Sequence, residues 1–377
     1  MKNERKNGLN SEVEAALNRA TAYLPNQEKR PEQIHMTQVI RRFLDFAQEP
    51  GQALMVEAGT GTGKSFAYLV AVCEWLMEEK RKNNTKAKAV IATYTLALED
   101  QLIKKDVPVI KRLYPDLCFE KAQGRTNYVC RHKLNQIIGE TNLFSEGEDT
   151  YNQLLDWLAR TKTGERNELT FNPGPVWNQI CSNTDCLGAS CPNRQSCYYQ
   201  QMKEKINKAD VIITTHAMVM TDLIIRSLPD YQVLILDEAH NIEKSAYSAS
   251  TTSVSLNSVL SAIKKPIVKS FCHFALKKSR MVSKIKQWQR ETELIAESFF
   301  AEVEKTRQSQ PALRLYEPCF ETHLKNALEA GIAFLQLASE NIDSDVVDAE
   351  MSVVIDELGS LAESIDTFIN MYEPSYV

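Results

Sequence analysis

Residues 53–65 read ALMVEAGTGTGKS, and the rest of the chain is best understood outward from them. Residues 53–57 are a short apolar run following Gly51. Ala58-Gly59-Thr60-Gly61-Thr62-Gly63-Lys64-Ser65 fits the spacing GxxxxGK[ST], and residues 66–80 (FAYLVAVCEWLMEEK) are helix formers ending in charge. The order predicted is strand, tight loop, helix. Glycines let the loop turn so sharply that successive N–H groups point into one anion-sized hollow, and the following helix adds its positive end. Lys64 is placed to reach the β- and γ-phosphates of a nucleotide, and the Ser65 hydroxyl to bind Mg2+.

Three more apolar runs share this texture. AVIATYT at 89–95 follows the polar break RKNNTKAK and precedes the helical pattern LALEDQLIKKD; DVIITT lies at 210–215 and YQVLILD at 231–237. Strands so continuous in Val, Ile and Leu are buried on both faces, as in a parallel sheet covered by helices. The fold class expected is therefore α/β, with a large insertion between residue 124 and about 200. Asp237-Glu238-Ala239-His240 directly follows the last run. An acid at the end of a buried strand is costly unless it meets a cation. Asp237 is placed to hold Mg2+ through water, and Glu238 to orient and deprotonate an attacking water. A solvated acid pair is the plain alternative, and the phosphate loop argues against it. Together the two motifs predict ATP binding and, in a complete site, hydrolysis.

The 377 residues carry 44 Lys+Arg against 49 Asp+Glu, a net charge of −5, which excludes bulk coating of nucleic acid but not a local basic groove. No apolar run approaches the roughly 18–20 residues that span a bilayer. The polar, helical N-terminus MKNERKNGLNSEVEAALNRA lacks the apolar segment of a secretory signal. A cytoplasmic protein without membrane contact is expected. There are nine cysteines; Cys181, Cys186, Cys191 and Cys197 crowd together with Cys130 upstream. In a reducing compartment clustered thiols read as metal ligands rather than disulfides. Soft sulfur donors suit an iron–sulfur cluster or zinc, and the isolation of Cys130 favours the cluster over paired zinc knuckles. Cys181 is a fifth thiol able to replace Cys186. Cys73, Cys118, Cys272 and Cys319 are expected to be small buried apolar residues.

After about residue 247 strand-like runs give way to helical periodicity. Ile285, Trp288, Ile295, Phe299 and Val303 share one face; so do Leu324, Leu328, Ile332 and Leu335, and again Val354, Leu358, Leu361, Ile365 and Phe368. These stripes predict the core of a separate helical module.

AGTGTGKS with DEAH resembles the superfamily 2 helicases. RPEQ at 30–33, VEAGTGTGKS at 56–65, IATYTLALEDQL at 91–102, GRTNYVC at 124–130, CLGASCPNRQSC at 186–197 and ADVIITTHAMVM at 209–220 narrow it to the XPD-like iron–sulfur branch and its bacterial DinG/YoaA type. The resemblance implies a RecA-like P-loop domain over 1–123 and 201–247, an iron–sulfur domain over 124–200 and a helical arch domain over 248–377. It implies ATP, Mg2+ and a [4Fe–4S] cluster as cofactors. The cluster ligands would be Cys130, Cys186, Cys191 and Cys197, with Cys181 a bystander. Gly59, Thr60, Gly61, Thr62, Gly63, Lys64 and Ser65 would bind the phosphates. Gln33 would read adenine with Arg30 nearby, an amide offering donor and acceptor together. Lys64, Asp237 and Glu238 would be catalytic, with Ser65 and Asp237 on Mg2+. Thr93 and Thr95 would touch the backbone of single-stranded DNA, and His240 would couple nucleotide to DNA. Thr215-His216-Ala217 departs from the family's usual Asn-His-Ala.

The insertion has few strand signals and is expected to need its metal as a staple. Arg125, Arg131 and Lys133, with Tyr128, Trp177, Tyr198 and Tyr199, offer charge and flat faces for a strand passing through, or else ordinary surface charge and packing aromatics. No Ser-Ala-Thr strand end or Q-x-x-G-R-x-x-R helix follows DEAH, so the chain reads as the N-terminal half of a helicase, with the second RecA-like domain absent and turnover alone expected to be poor. The function implied is 5′-to-3′ ATP-dependent unwinding of single-stranded or forked DNA in repair or replication, alongside other proteins of those pathways and a second motor domain in cis or trans. A plasmid- or CRISPR-associated relative and a non-motor iron–sulfur DNA-binding protein are the alternatives.

Overall fold

The computed structural model describes residues 2–23, 30–47, 49, 51–139, 148–183, 186–265, 267–268, 279–308, 310, 315, 317–339 and 345–371. They form two compact units, Met1–Gly124 with Tyr198–Ser250, and Arg125–Cys197 with Thr251–Val377. The strands are β1 (Ala89–Thr93), β2 (Phe119–Lys121), β3 (Val211–Thr215) and β4 (Val233–Leu236). Helices α1 (Lys2–Thr21), α2 (Pro31–Phe46) and α3 (Lys64–Arg81) precede β1; α4 (Leu96–Gln101) and α5 (Val107–Leu113) follow it, joined by a π-helical turn over Leu102–Asp106. Next come α6 (Arg131–Gly139), α7 (Glu148–Leu158), α8 (Val176–Ile180), α9 (Tyr198–Lys208), α10 (His216–Ile225) and α11 (Ile242–Ser250). Last are α12 (Leu256–Ile263), α13 (Ser279–Arg307), α14 (Leu324–Ser339) and α15 (Asp345–Asn370).

In the first unit the sheet is parallel, in the order β2-β3-β1-β4. β1 is central and every residue of it is buried, which is why its sequence is apolar without alternation. It pairs Ala89 with Val211 through Thr93 with Thr215 on one side, and Ala89 with Val233 through Ala92 with Leu236 on the other. The expected runs at 89–95, 210–215 and 231–237 are thus strands of one parallel sheet. β2 was not legible: Phe-Glu-Lys is too short to show a pattern. Against the sheet lies α3, buried continuously from Phe66 to Cys73; a helix apolar all round belongs in the middle of a fold. The N-terminal segment is more than a polar lead-in, because Val13, Ala16, Leu17 and Ala20 of α1 are buried at i, i+3, i+4 and i+7.

One expected strand is absent. Residues 53–57 are not in a β-ladder, and Leu54, Met55 and Val56 are exposed, Met55 at 95%. A strand exists only through a neighbour's hydrogen bonds, and β4, the sheet's last strand on this side, pairs only with β1 among the described residues. Its Leu234 is exposed as well. The apolar composition reads as strand-like, but among the described residues no strand pairs with it.

In the second unit the predicted stripes meet in one core. Ile285, Trp288 and Phe299 of α13, Leu324, Leu328 and Leu335 of α14, and Val354, Leu358 and Ile365 of α15 are buried together, with Ile295, Val303, Ile332 and Phe368 packed against them. Part of the insertion is an aromatic core that its sequence did not announce. Tyr128, Leu134, Leu154, Trp157, Trp177 and Ile180 are buried. Trp157 meets Trp177 edge-on at 6.2 Å, and Trp177 Nε1 donates to the Thr126 carbonyl at 2.9 Å. His132 Nε2 of α6 lies 3.0 Å from Glu350 Oε1 of α15.

Gly331 of α14 lets Trp288 lie flat on that helix. A Cβ there would stand 2.0 Å from the indole ring, whose Nε1 donates to the Ala327 carbonyl at 2.7 Å. Gly331→Ala is expected to cost about 1–3 kcal/mol by overpacking, despite alanine's better helix propensity. Thermal unfolding checks this; an unchanged or raised melting temperature would contradict the packing described.

Candidate nucleotide site and cysteine group

The site forms where the loop before α3 meets the end of β4. Gly61 and Gly63 have φ of +80° and +83°, left-handed values that favour glycine. At Gly63 there is a second reason: a Cβ would fall 2.2 Å from Gln33 Nε2. Thr62 Oγ1 closes the turn by donating to the Gly59 carbonyl at 3.0 Å. Two side chains from the segment leading into and starting α2 clamp the loop from outside. Arg30 Nη1 donates to the Gly61 carbonyl at 2.6 Å, and Gln33 Nε2 to the Gly63 carbonyl at 2.8 Å. Gln33 is buried. Both residues singled out in the sequence therefore stand at the loop, each giving one N–H to its backbone.

Lys64 Nζ lies 3.1 Å from Glu238 Oε1, with both side chains partly exposed. Asp237 is held differently. The Tyr68 hydroxyl donates to Asp237 Oδ2 at 3.2 Å, while Asp237 Oδ1 accepts from the Glu238 N–H at 3.1 Å. Glu238 adopts a left-handed φ of +55°. That is uncommon for a residue with a Cβ, and functional sites are where such backbone strain gathers. His240 is exposed, its Nδ1 3.5 Å from Glu238 Oε2. The structure thus brings Lys64, Ser65, Asp237 and Glu238 into one site. Two members were not legible in the sequence. Tyr68 reads as part of an apolar helix, and burial together with the neighbouring Asp237 pushes its hydroxyl pKa well up. Asp106, at the end of the π-helical turn, has its carboxyl pKa raised by burial and partly held down by the Ser65 hydroxyl. Only the phase of the helix and the extra residue of the turn aim these groups at the site; π-turns recur at functional positions.

Several residues expected to be functional fall elsewhere. Thr93 is buried and its hydroxyl donates to the Thr95 carbonyl at 3.1 Å, so it faces inward and not toward a DNA backbone. Thr95 is exposed and caps α4 by accepting from the Leu98 N–H at 3.2 Å. Tyr128, Trp177, Tyr198 and Tyr199 are buried, which removes them as flat faces for a passing strand; they are packing aromatics. Arg125 and Lys133 both bond Asn183, at 3.0 and 2.7 Å.

Cys130, Cys186, Cys191 and Cys197 are free thiols, each partly buried. Burial raises the Cys191 thiol pKa, and the neighbouring Cys186 and Cys197 raise it further; Cys130 is likewise raised by burial, with Cys191 adding to it. All four therefore share one neighbourhood. Among the described residues no three His, Cys, Asp or Glu side chains stand close enough to hold a single metal ion. Thiolate sulfur is a soft donor, of the kind that suits an iron–sulfur cluster or zinc. Cys181 is buried, and its thiol donates to the Asn178 carbonyl at 3.8 Å. Of the lone cysteines, Cys73 is buried as expected, Cys118 is half-buried, Cys319 is exposed, and Cys272 lies outside the described residues.

The DEAD_2 family profile matches residues 116–259. An ATP-dependent DNA helicase DinG of Photobacterium profundum is 30% identical over 280 residues, 68% of this chain and 40% of that one. A 3′-5′ exonuclease DinG of Bacillus subtilis is 28% identical over 74% of this chain and 28% of its own length. An ATP-dependent DNA helicase YoaA of Haemophilus influenzae is 30% identical over 56% and 33%. The resemblance to DinG- and YoaA-type helicases carried by the motifs is borne out by these matches. The chain spans less than half the length of these curated relatives. A solved structure of truncated XPD aligns over 86% of this chain and 81% of its own, at 14% identity and a TM-score of 0.39, too loose to bear on the fold. No helix of the described residues is long and apolar enough to cross a membrane.

Because Glu238 occupies Lys64, Glu238→Gln is expected to tighten Mg–ATP binding by about 1.5- to 5-fold, the worth of a partly exposed ion pair of roughly 0.2–1 kcal/mol. Titration with a fluorescent ATP analogue reads this; weaker binding would show that the pair supports the site and does not compete with phosphate.

Proposed function

We propose that this chain is the nucleotide-binding part of an ATP-dependent DNA helicase of the DinG/YoaA type, acting on single-stranded or forked DNA in repair or replication. The observation that carries the reading is the meeting of Lys64 and Glu238 across the phosphate loop, with Tyr68 on Asp237 beside it. Entering phosphates outbid Glu238 for the Lys64 ammonium, since a polyanion offers more charge than one carboxylate. The loop's N–H groups, from Gly59 to Ser65, and the start of α3 surround the anion. Ser65 and Asp237 are the residues that would hold Mg2+, which when bound would supply charge stabilisation to the phosphates. Glu238, released from Lys64, orients the attacking water and takes its proton. Gln33 and Arg30 stand beside the loop, and the Gln33 amide keeps its second N–H and its carbonyl oxygen to offer an adenine edge.

The loop after β1 is the DNA-facing part. Tyr94, Thr95 and Leu96 are exposed there, with Thr95 rather than Thr93 offering backbone contact. In the second unit Cys130, Cys186, Cys191 and Cys197 hold a [4Fe–4S] cluster, which when bound supplies a rigid cross-link between distant loops. Cys181 belongs to the surrounding fold, its backbone bridged to Val129. RecA-like, iron–sulfur and arch domains over 1–123 with 201–247, 124–200 and 248–377 remain the assignment proposed, together with a second motor domain in cis or trans.

Lys64→Ala in the anaerobically purified chain is expected to weaken Mg–ATP binding about 10- to 100-fold, as for losing a hydrogen bond to a charged group worth roughly 1.5–3 kcal/mol, and to leave single-stranded DNA binding intact. Indifference of ATP binding to Lys64 would favour a passive DNA-binding protein. Cys191→Ser is expected to remove the visible colour and about four irons per chain without changing ATP affinity; an iron-free wild type carrying zinc would overturn the cluster.

A further inference from the structure

Resting on the assignment of the four thiols to a cluster, we propose that Glu350 is a positioning residue for them. It keys the helix that starts after Cys130 onto α15, so that the isolated thiol and the clustered ones are assembled against the helical module. Cys130 is far in sequence from Cys186, Cys191 and Cys197, and bringing the ends of a long loop together costs entropy before any metal is bound. Backbone contacts solve part of that problem. The Cys130 N–H donates to the Ile180 carbonyl at 2.7 Å, and the Cys130 carbonyl accepts from the Leu134 N–H at 3.1 Å, opening α6. Bonds at one end of a short helix leave its direction open, and a second attachment farther along fixes it.

That attachment is made outside the insertion. His132 and Gln136 are four residues apart and share one face of α6, and both meet the same carboxylate oxygen. His132 Nε2 lies 3.0 Å from Glu350 Oε1, and Gln136 Nε2 donates to it at 3.1 Å. No charge on His132 is required, since a neutral imidazole also donates. Leu134, between them in sequence, is buried, and α6 packs on α8, so its polar face is the one turned to α15. The other thiols reach the same helix: the turn Gly188–Ser190, between Cys186 and Cys191, lies against α15. One helix therefore touches both chain segments that carry the ligands. Glu350 differs in this from Glu357 and Asp366, which pair with Lys265 and Lys325 of the helical module. Its side chain is only 18% exposed, and α15 holds no Lys or Arg to compensate it. A carboxylate so far withdrawn from water is kept there by the donors it meets, and those donors belong to α6.

The test reads metal retention in the whole, anaerobically purified chain. Release of iron to a chelator is followed as loss of visible absorbance. Glu350→Ala is expected to speed release about 10-fold, as for leaving the donors to a charged acceptor unpaired. Glu350→Gln keeps an amide oxygen for the same donors and is expected to stay within about 3-fold of the wild type, a neutral bond being about half as strong. Lys325→Met breaks the 3.1 Å pair with Asp366 elsewhere on α15 and is expected to leave release within about twofold, whatever it does to the melting temperature. Unchanged release in Glu350→Ala overturns the proposal. So does equal acceleration in Lys325→Met, which makes the effect one of general stability. Should Glu350→Ala not fold, Gln136→Ala removes one donor from the other side and is expected to speed release about 3-fold; no change there is equally fatal. A wild-type chain that holds no iron–sulfur cluster overturns the reading of the cysteines together with this inference, whereas one that keeps its cluster as firmly in the Glu350 variants overturns this inference alone.

Discussion

The Lys64 ammonium and the Glu238 carboxylate, 3.1 Å apart, are brought together by elements far separated in sequence. Everything functional in the first unit depends on that juxtaposition. A lysine at the mouth of a loop rich in N–H donors concentrates positive potential in one hollow, and an acidic pair at the end of a parallel strand would otherwise be poorly compensated. The two halves of the charge pattern complement each other. Tyr68 holds Asp237 while Lys64 holds Glu238, so the two neighbouring acids are held by different partners. The site is thus internally paired and does not expose bare charge.

That arrangement is placed by the sheet. β1 is buried throughout and hydrogen-bonded on both sides, which makes it the rigid reference for the strand ends carrying Thr93, Thr215 and Asp237. Parallel strands bring their carboxyl ends to one edge, where loops converge on a ligand. The other consequence is an open flank: β4 leaves Leu234 exposed, and the 53–57 segment leads into the phosphate loop with Met55 exposed. Apolar surface beside unpaired strand edges is an aggregation liability unless something covers it.

The legible part of the molecule was what local chemistry dictates. The glycine-rich loop could be read because only glycine readily accepts the φ of Gly61 and Gly63, and the strands at 89–93 and 211–215 because burial on both faces forces continuous Val, Ile and Leu; β4 shares that composition although its Leu234 is exposed. The helical stripes from Ile285 to Phe368 were read as core for the same kind of reason. Pairing was not legible. ALMVE at 53–57 has the composition of its neighbours but no partner strand among the described residues, and strand formation is decided by a neighbour elsewhere in the chain. Side-chain direction was not legible either: Tyr128 and Trp177 could be read as DNA-facing rings or as packing aromatics and are buried, while Tyr68 and Asp106 reach the site through a helix phase and a π-turn that composition does not display.

A crystal structure of the chain with Mg2+ and a non-hydrolysable ATP analogue tests the central claim most directly. The account predicts Lys64 Nζ withdrawn from Glu238 and on the β- and γ-phosphates, with the metal between the Ser65 hydroxyl and Asp237. A nucleotide seated elsewhere, with the lysine still paired to Glu238, would contradict it.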